Sequence, residues 1–92
     1  MKYVIRESMV QNVFKKYMDS QYELKYNHST REFINVKDGE MFGYILGGGK
    51  FYQYDYSQEL FLEGMFGPNI DKLLLNYLIE KFPEVDIRSV KH

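Results

Sequence analysis

The sequence predicts an α+β fold: an N-terminal helix, a four-stranded antiparallel meander, two C-terminal helices and a short closing strand, in one domain over residues 1–92. Three observations predict it. Residues 9–19 repeat apolar side chains at helical spacing. Four short alternating runs follow, punctuated by NHST, Asp38-Gly39 and a triple glycine. After Gly67-Pro68 comes a long run that is apolar around most of a helical wheel.

KYVIR (2–6) reads as a short strand. Ser8 then reads as a helix N-cap, with Gln11 three residues on completing a capping box. Met9, Val10, Val13, Phe14, Tyr17 and Met18 fall on one half of the wheel, and Gln11, Asn12, Lys15, Lys16 and Asp19 on the other. YELKY (22–26), REFINV (31–36), MFGYIL (41–46) and KFYQYD (50–55) read as four strands. A four-residue NHST loop sets Lys25 opposite Glu32 and Leu24 opposite Phe33. An Asp38-Gly39 turn sets Lys37 opposite Glu40 and Val36 opposite Met41. A Gly48-Gly49 turn sets Leu46 opposite Phe51 and Gly43 opposite Tyr54.

Those registers give the meander two faces. Tyr22, Leu24, Tyr26, Phe33, Phe42, Tyr44, Leu46 and Phe51 form a core face for the helices. The opposite face starts polar with Glu23, Lys25 and Glu32 and ends apolar with Ile34, Val36, Met41, Ile45, Tyr52 and Tyr54. A sheet covered on one side is expected to be polar on the other, so the apolar half is a surplus. Residues 57–66 favour a helix, weakened by Gly64, and Gly67-Pro68 stops it. Asn69 caps a helix to Phe82, with Asp71 where the helix dipole favours an anion. Its polar stripe is only Lys72, Asn76 and Glu80, a second surplus of apolar surface. EVDIRSV (84–90) reads as the closing strand.

Composition narrows the chemistry. There is no cysteine, so disulfides, thiolate zinc sites and cysteine nucleophiles are excluded. Twelve basic and 13 acidic residues give a net charge of −1, and no basic block is present. No run approaches a membrane span, and the apolar run before Arg6 is too short for a signal-peptide core. A soluble, cytoplasmic protein is expected.

The triple glycine ending at Lys50 fails the phosphate-loop pattern, because Tyr44 stands where the first glycine belongs and Phe51 follows the lysine. A hairpin turn needing positive φ explains it. Lys50, Tyr52, Tyr54 and Tyr56 could instead form a stacking platform for single-stranded nucleic acid, but the charge balance makes nucleic acid an unlikely partner. His28 and His92 have no partner at ligand spacing, so no metal is expected. Glu59 and Glu63 are carboxylates four apart and could serve as an acid–base pair in a small enzyme of unknown substrate. No third group accompanies them, and none of the five serines sits in a nucleophile elbow. Neither a catalytic residue nor a cofactor is expected, and no small-molecule ligand is evident.

The MKYVIRES opening, the aromatic meander and MFGPNIDKLLLNYLIEKF closing on VDIRSV resemble short uncharacterised proteins of marine tailed phages. Phe, Tyr, Met, Ile, Asn and Lys far outnumber Gly, Ala, Arg and Pro, and alanine is absent, which hints at an AT-rich genome. The resemblance implies a viral origin and a place in the host-cell cytoplasm, and it carries no activity. The residues themselves point to a non-catalytic interaction protein. It is expected to self-associate or bind a protein partner through Ile34, Val36, Met41, Ile45, Tyr52 and Tyr54.

Overall fold

The computed structural model describes residues 7–53 and 56–91, and for residues 7, 8 and 56–59 the backbone alone. The chain runs α1 (Glu7–Gln21), β1 (Leu24–Asn27), β2 (Glu32–Asn35), β3 (Glu40–Leu46), β4 (Lys50–Gln53), α2 (Tyr56–Phe66), α3 (Ile70–Lys81) and β5 (Ser89–Lys91). The α+β class and the element order match the expectation. The proposed strand over residues 2–6 lies outside the described residues. Ser8 lies within α1 rather than capping it.

The five strands form one sheet in chain order. The first four pair antiparallel, and β5 pairs parallel to β4 because α2 and α3 carry the chain back across the sheet. β5 extends the sheet at the β4 edge.

Two departures from the expected registers decide the faces. At β2–β3, Phe33 pairs with Gly43 but Ile34 pairs with Met41, so Phe42 is an extra residue and β3 bulges. At β3–β4 the loop is all three glycines, with Leu46 opposite Lys50 and Ile45 opposite Phe51. Each change reverses the alternation once. The bulge turns Tyr44 and Leu46 outward and Ile45 inward, against the expectation. The longer loop reverses β4 relative to β3, so Phe51 still points inward and Tyr52 outward. The β1–β2 register slips by two residues, with Tyr26 opposite Phe33, which leaves every face unchanged.

The bulge needs glycine. A Cβ on Gly43 would overlap the Phe51 ring and lie 2.6 Å from the Tyr52 carbonyl oxygen. Phe51, rather than the expected tyrosine, covers this bare backbone, and Gly43's cross-strand partner is Gln53.

The inner face carries Leu24, Phe33, Phe42, Ile45 and Phe51, all buried, and meets Phe14, Met18, Leu62, Leu73, Leu74, Tyr77 and Leu78 from the helices. Phe33 contacts Phe51 at 5.6 Å and Phe82 at 4.9 Å, and Phe14 contacts Phe66 at 5.0 Å and Tyr77 at 6.0 Å, all edge-on. Such pairs add about 0.5–1.5 kcal/mol each beyond area burial. The wide apolar arc of α3 is used here. Ile70, Leu73, Leu74, Tyr77 and Leu78 are buried, Leu75 packs on the core, and Ile79 remains exposed. The polar helix ends are simpler than expected: Asn69 makes no side-chain capping bond, while Gly67, at φ 86°, closes α2 by donating its N–H to the Glu63 carbonyl. Asn35 is a buried polar side chain, and its Oδ1 accepts the Glu23 and Lys37 backbone N–H groups.

Two glycine substitutions separate these roles. Gly43→Ala is expected to lower stability by about 1–3 kcal/mol through overpacking. Gly64→Ala, on an open helix surface with nothing within 4 Å, is expected to raise it by roughly 0.5–1 kcal/mol. Urea denaturation of the two variants measures both.

Candidate functional site

The pairing places one set of side chains on the sheet face away from the helices. From β1 to β5 it comprises Lys25, Glu32, Ile34, Met41, Tyr44, Leu46, Lys50, Tyr52 and Lys91. Ile34, Met41, Tyr44 and Tyr52 are partly buried, and none belongs to the core or packs against it. Ile34 opposes Met41 on the neighbouring strand, and Tyr44 opposes Tyr52. The two tyrosine rings stack at 5.6 Å with planes 14° apart. Leu46 is half exposed beside Lys50. Lys25, Lys50 and Lys91 surround this centre, with Glu32 on the same face and Glu23 just before β1.

The expected docking residues divide. Ile34, Met41 and Tyr52 share the outer face. Ile45 does not: it is 7% exposed and belongs to the core, because the bulge at Phe42 reversed its side of the strand. Val36 lies in the loop after β2 and is half exposed. Tyr54 lies outside the described residues. Tyr44 and Leu46 were missed, and Gly43 was the available signal, since an isolated strand glycine marks a bulge. Of the nucleic-acid candidates, Lys50 and Tyr52 are together on this face. Tyr56 is not a strand residue, because β4 ends at Gln53 and Tyr56 opens α2.

The remaining candidate sites are less built. Glu63 is exposed on α2, and the Glu59 side chain lies outside the described residues. Among the described residues no group of three His, Asp or Glu side chains is placed to hold a metal ion, and no helix is long and apolar enough to cross a membrane.

A charged network ties α1 to α3. The Tyr77 hydroxyl donates to Asp19 at 2.6 Å, Lys81 donates to the same oxygen at 2.9 Å, and Lys15 pairs with Glu80 at 2.6 Å. Gln11 adds a bond from its amide to the Leu73 carbonyl and accepts one from Asn76. Lys15, Asp19, Tyr77, Glu80 and Lys81 line a shallow cleft of about 180 Å³. The Tyr77 hydrogen bond, then that from Lys81, holds the Asp19 carboxyl below its usual value. Burial, then the Asp19 hydrogen bond, pushes the Tyr77 hydroxyl well above the ordinary tyrosine range. The hydrogen bond and charge of Glu80 raise Lys15. All the partners are used within the network, so it reads as an interhelical clamp.

No family model, curated protein or solved structure matches the chain.

The clamp has a defined pH window. Asp19, lowered in the fold, stabilises above the ordinary aspartate value near 3.9 and loses that contribution as pH falls below it. Tyr77 and Lys15, raised in the fold, stabilise below their ordinary values near 10 and lose that contribution as pH rises past them. Melting temperature is therefore expected to be level between about pH 5 and 9 as far as this network governs it, and to fall on both sides. Tyr77→Phe is expected to cost about 1–2 kcal/mol, since the hydroxyl meets a partly exposed charge, and to soften the alkaline fall. Thermal melts of both proteins across pH test this.

Proposed function

We propose that this protein is a non-catalytic binding module that docks a protein partner on the outer face of its sheet. One observation supports this above the rest. All three helices pack on the inner face, yet the outer face keeps Ile34, Met41, Tyr44 and Tyr52 in contiguous cross-strand pairs. Contiguous apolar surface of this kind marks interfaces more often than scattered exposed residues do. Tyrosine and methionine suit such a surface, the first by burying a ring while wetting its hydroxyl, the second by adapting its shape. Met9 and Val13 on α1 and Phe61 and Met65 on α2 are also exposed, on helices rather than in cross-strand pairs.

The charges refine the partner. Three lysines against Glu32 and Glu23 leave the rim of the apolar centre net positive, so a partner with an acidic rim is complementary. A second copy docking face to face would oppose lysine to lysine unless its rotation brought Glu32 against them. A distinct acidic protein therefore fits better than a face-to-face dimer.

The same lysines favour a second reading, single-stranded nucleic acid. The tyrosines favour it less. Tyr44 and Tyr52 stack on each other, so each ring has already committed one π-face that a base platform would need.

The test is a paired set of variants. Met41→Lys with Tyr52→Glu changes only the outer face and is expected to leave the fold intact, whereas Ile45→Lys buries an unpaired charge and is expected to unfold the domain. Light scattering over a range of concentrations reads self-association against the 11.1 kDa monomer. Capture from extract, compared between wild type and the double variant, reads other partners. Association lost in the folded double variant supports the outer face. Association that survives it sinks the proposal. Salt-sensitive binding of an oligonucleotide, with no protein captured, would establish the second reading instead.

A further inference from the structure

A separate cleft of about 290 Å³ lies beyond one end of the sheet, between the β1–β2 loop, the glycine loop and residues 84–86. Tyr26, Ile45 and Val85 supply apolar lining, and His28, Arg31, Gly47, Glu84 and Asp86 the polar part. Hydrogen bonds hold the three segments together. Ile45 donates its N–H to the Arg31 carbonyl at 2.9 Å, and Arg88 donates its N–H to the Gly49 carbonyl at 2.8 Å. The glycine loop is thus flanked by Arg31 on one side and by the acidic segment on the other.

Arg31 is held against its own preference. It has φ of 59°, the one left-handed residue other than glycine among those described. The next hairpin shows what that position ordinarily takes. Both loops close by an N–H to C=O bond spanning four residues, Arg31 to Asn27 and Gly39 to Asn35, and both end left-handed. The second uses Gly39, at φ 76°. An arginine in the first is strained where glycine would be relaxed, and retained backbone strain of this kind concentrates at functional sites. The Arg31 guanidinium has no hydrogen-bond or ion-pair partner among the described residues, and neither has the Glu84 carboxylate. Asp86 is already paired with Arg88 at 3.2 Å.

The glycine loop adds an independent observation. Gly48 and Gly49 have φ of 81° and 71°, and a Cβ on Gly49 would meet backbone of residues 86 and 88 at 3.0–3.1 Å. Gly47 has neither reason. Its φ is not left-handed and nothing lies within 4 Å of its Cβ position. At the wall of a cleft, a bare backbone lets a ligand approach closely.

We propose that this cleft binds a small zwitterion of the amino-carboxylic acid type, its carboxylate taken by Arg31 and its ammonium group by Glu84. The planar guanidinium matches a carboxylate in two-point geometry. With Glu84 and Asp86 across the loop, the lining has no surplus positive charge, which disfavours a phosphate dianion. Opposite charges on opposite walls suit a ligand that carries both.

The test titrates the protein with glycine, β-alanine, γ-aminobutyrate and ε-aminocaproate, following backbone amide NMR signals, with acetate, methylammonium and inorganic phosphate as controls. One chain length is expected to shift the amides of residues 31 and 47–49 saturably, and acetate or methylammonium to bind at least tenfold more weakly. Arg31→Gly and Glu84→Gln are each expected to weaken that binding tenfold or more. Arg31→Gly is also expected to hold or raise the melting temperature, since glycine relieves the left-handed strain, so its loss of binding is not a loss of fold. Three results would overturn the proposal: no zwitterion in the series shifts those amides, acetate or phosphate binds as well as the best of them, or Arg31→Gly binds like the wild type.

Discussion

The face that Tyr44 and Tyr52 show to their surroundings depends on the Phe51 ring lying over the bare backbone of Gly43. A strand that alternates strictly would bury Tyr44 and expose Ile45. The extra residue at Phe42 breaks that alternation, placing Phe42 and Gly43 both toward the core. Phe42 and Gly43 can share the inner side because one of them has no side chain. The space so freed is filled by Phe51, which also meets Phe42 at 6.0 Å and Phe33 at 5.6 Å. Core packing and the composition of the outer surface are therefore set by one contact.

The helices depend on this arrangement in turn. Phe33 reaches from the sheet to Phe82 at the end of α3, and Tyr77 reaches from α3 to Phe14 on α1. The long apolar arc of α3 is consumed because the helix faces the sheet on one side and α1 and α2 on the others. The Asp19, Tyr77 and Lys81 bonds then fix how α1 lies on α3. Individually exposed ion pairs contribute little. Here the partly buried Tyr77 hydroxyl needs an acceptor, so Asp19 satisfies a group whose isolation would cost more than the pair itself yields.

The same framework leaves two surfaces with surplus chemistry, and they differ in kind. The outer face is wide, apolar at its centre and ringed by lysine, and it suits a macromolecular surface. The cleft at the sheet end is small and carries unpaired opposite charges, and it suits a small polar molecule. They adjoin at Leu46, which stands on the outer face and also lines the cleft.

Local features were legible in the sequence wherever a single element settled them. Helical spacing over residues 9–19, the stop at Gly67-Pro68 and the alternation of the strands specify the α+β class and the order of elements, because periodicity depends on near neighbours alone. Phe33 and Leu24 go to the core for the same reason, whereas Phe51 keeps its inward side because the bulge and the longer loop each reverse the alternation once. Which side Tyr44, Ile45 and Leu46 take was decided only by tertiary structure, because a bulge in β3 depends on β2, on Phe51 and on the glycine between them. The width of the apolar arc on α3 was visible, but not that three neighbours would consume it. Nor could sequence spacing bring Arg31, Gly47 and Glu84 to one cleft, since that meeting is made by hydrogen bonds between strands far apart in the chain.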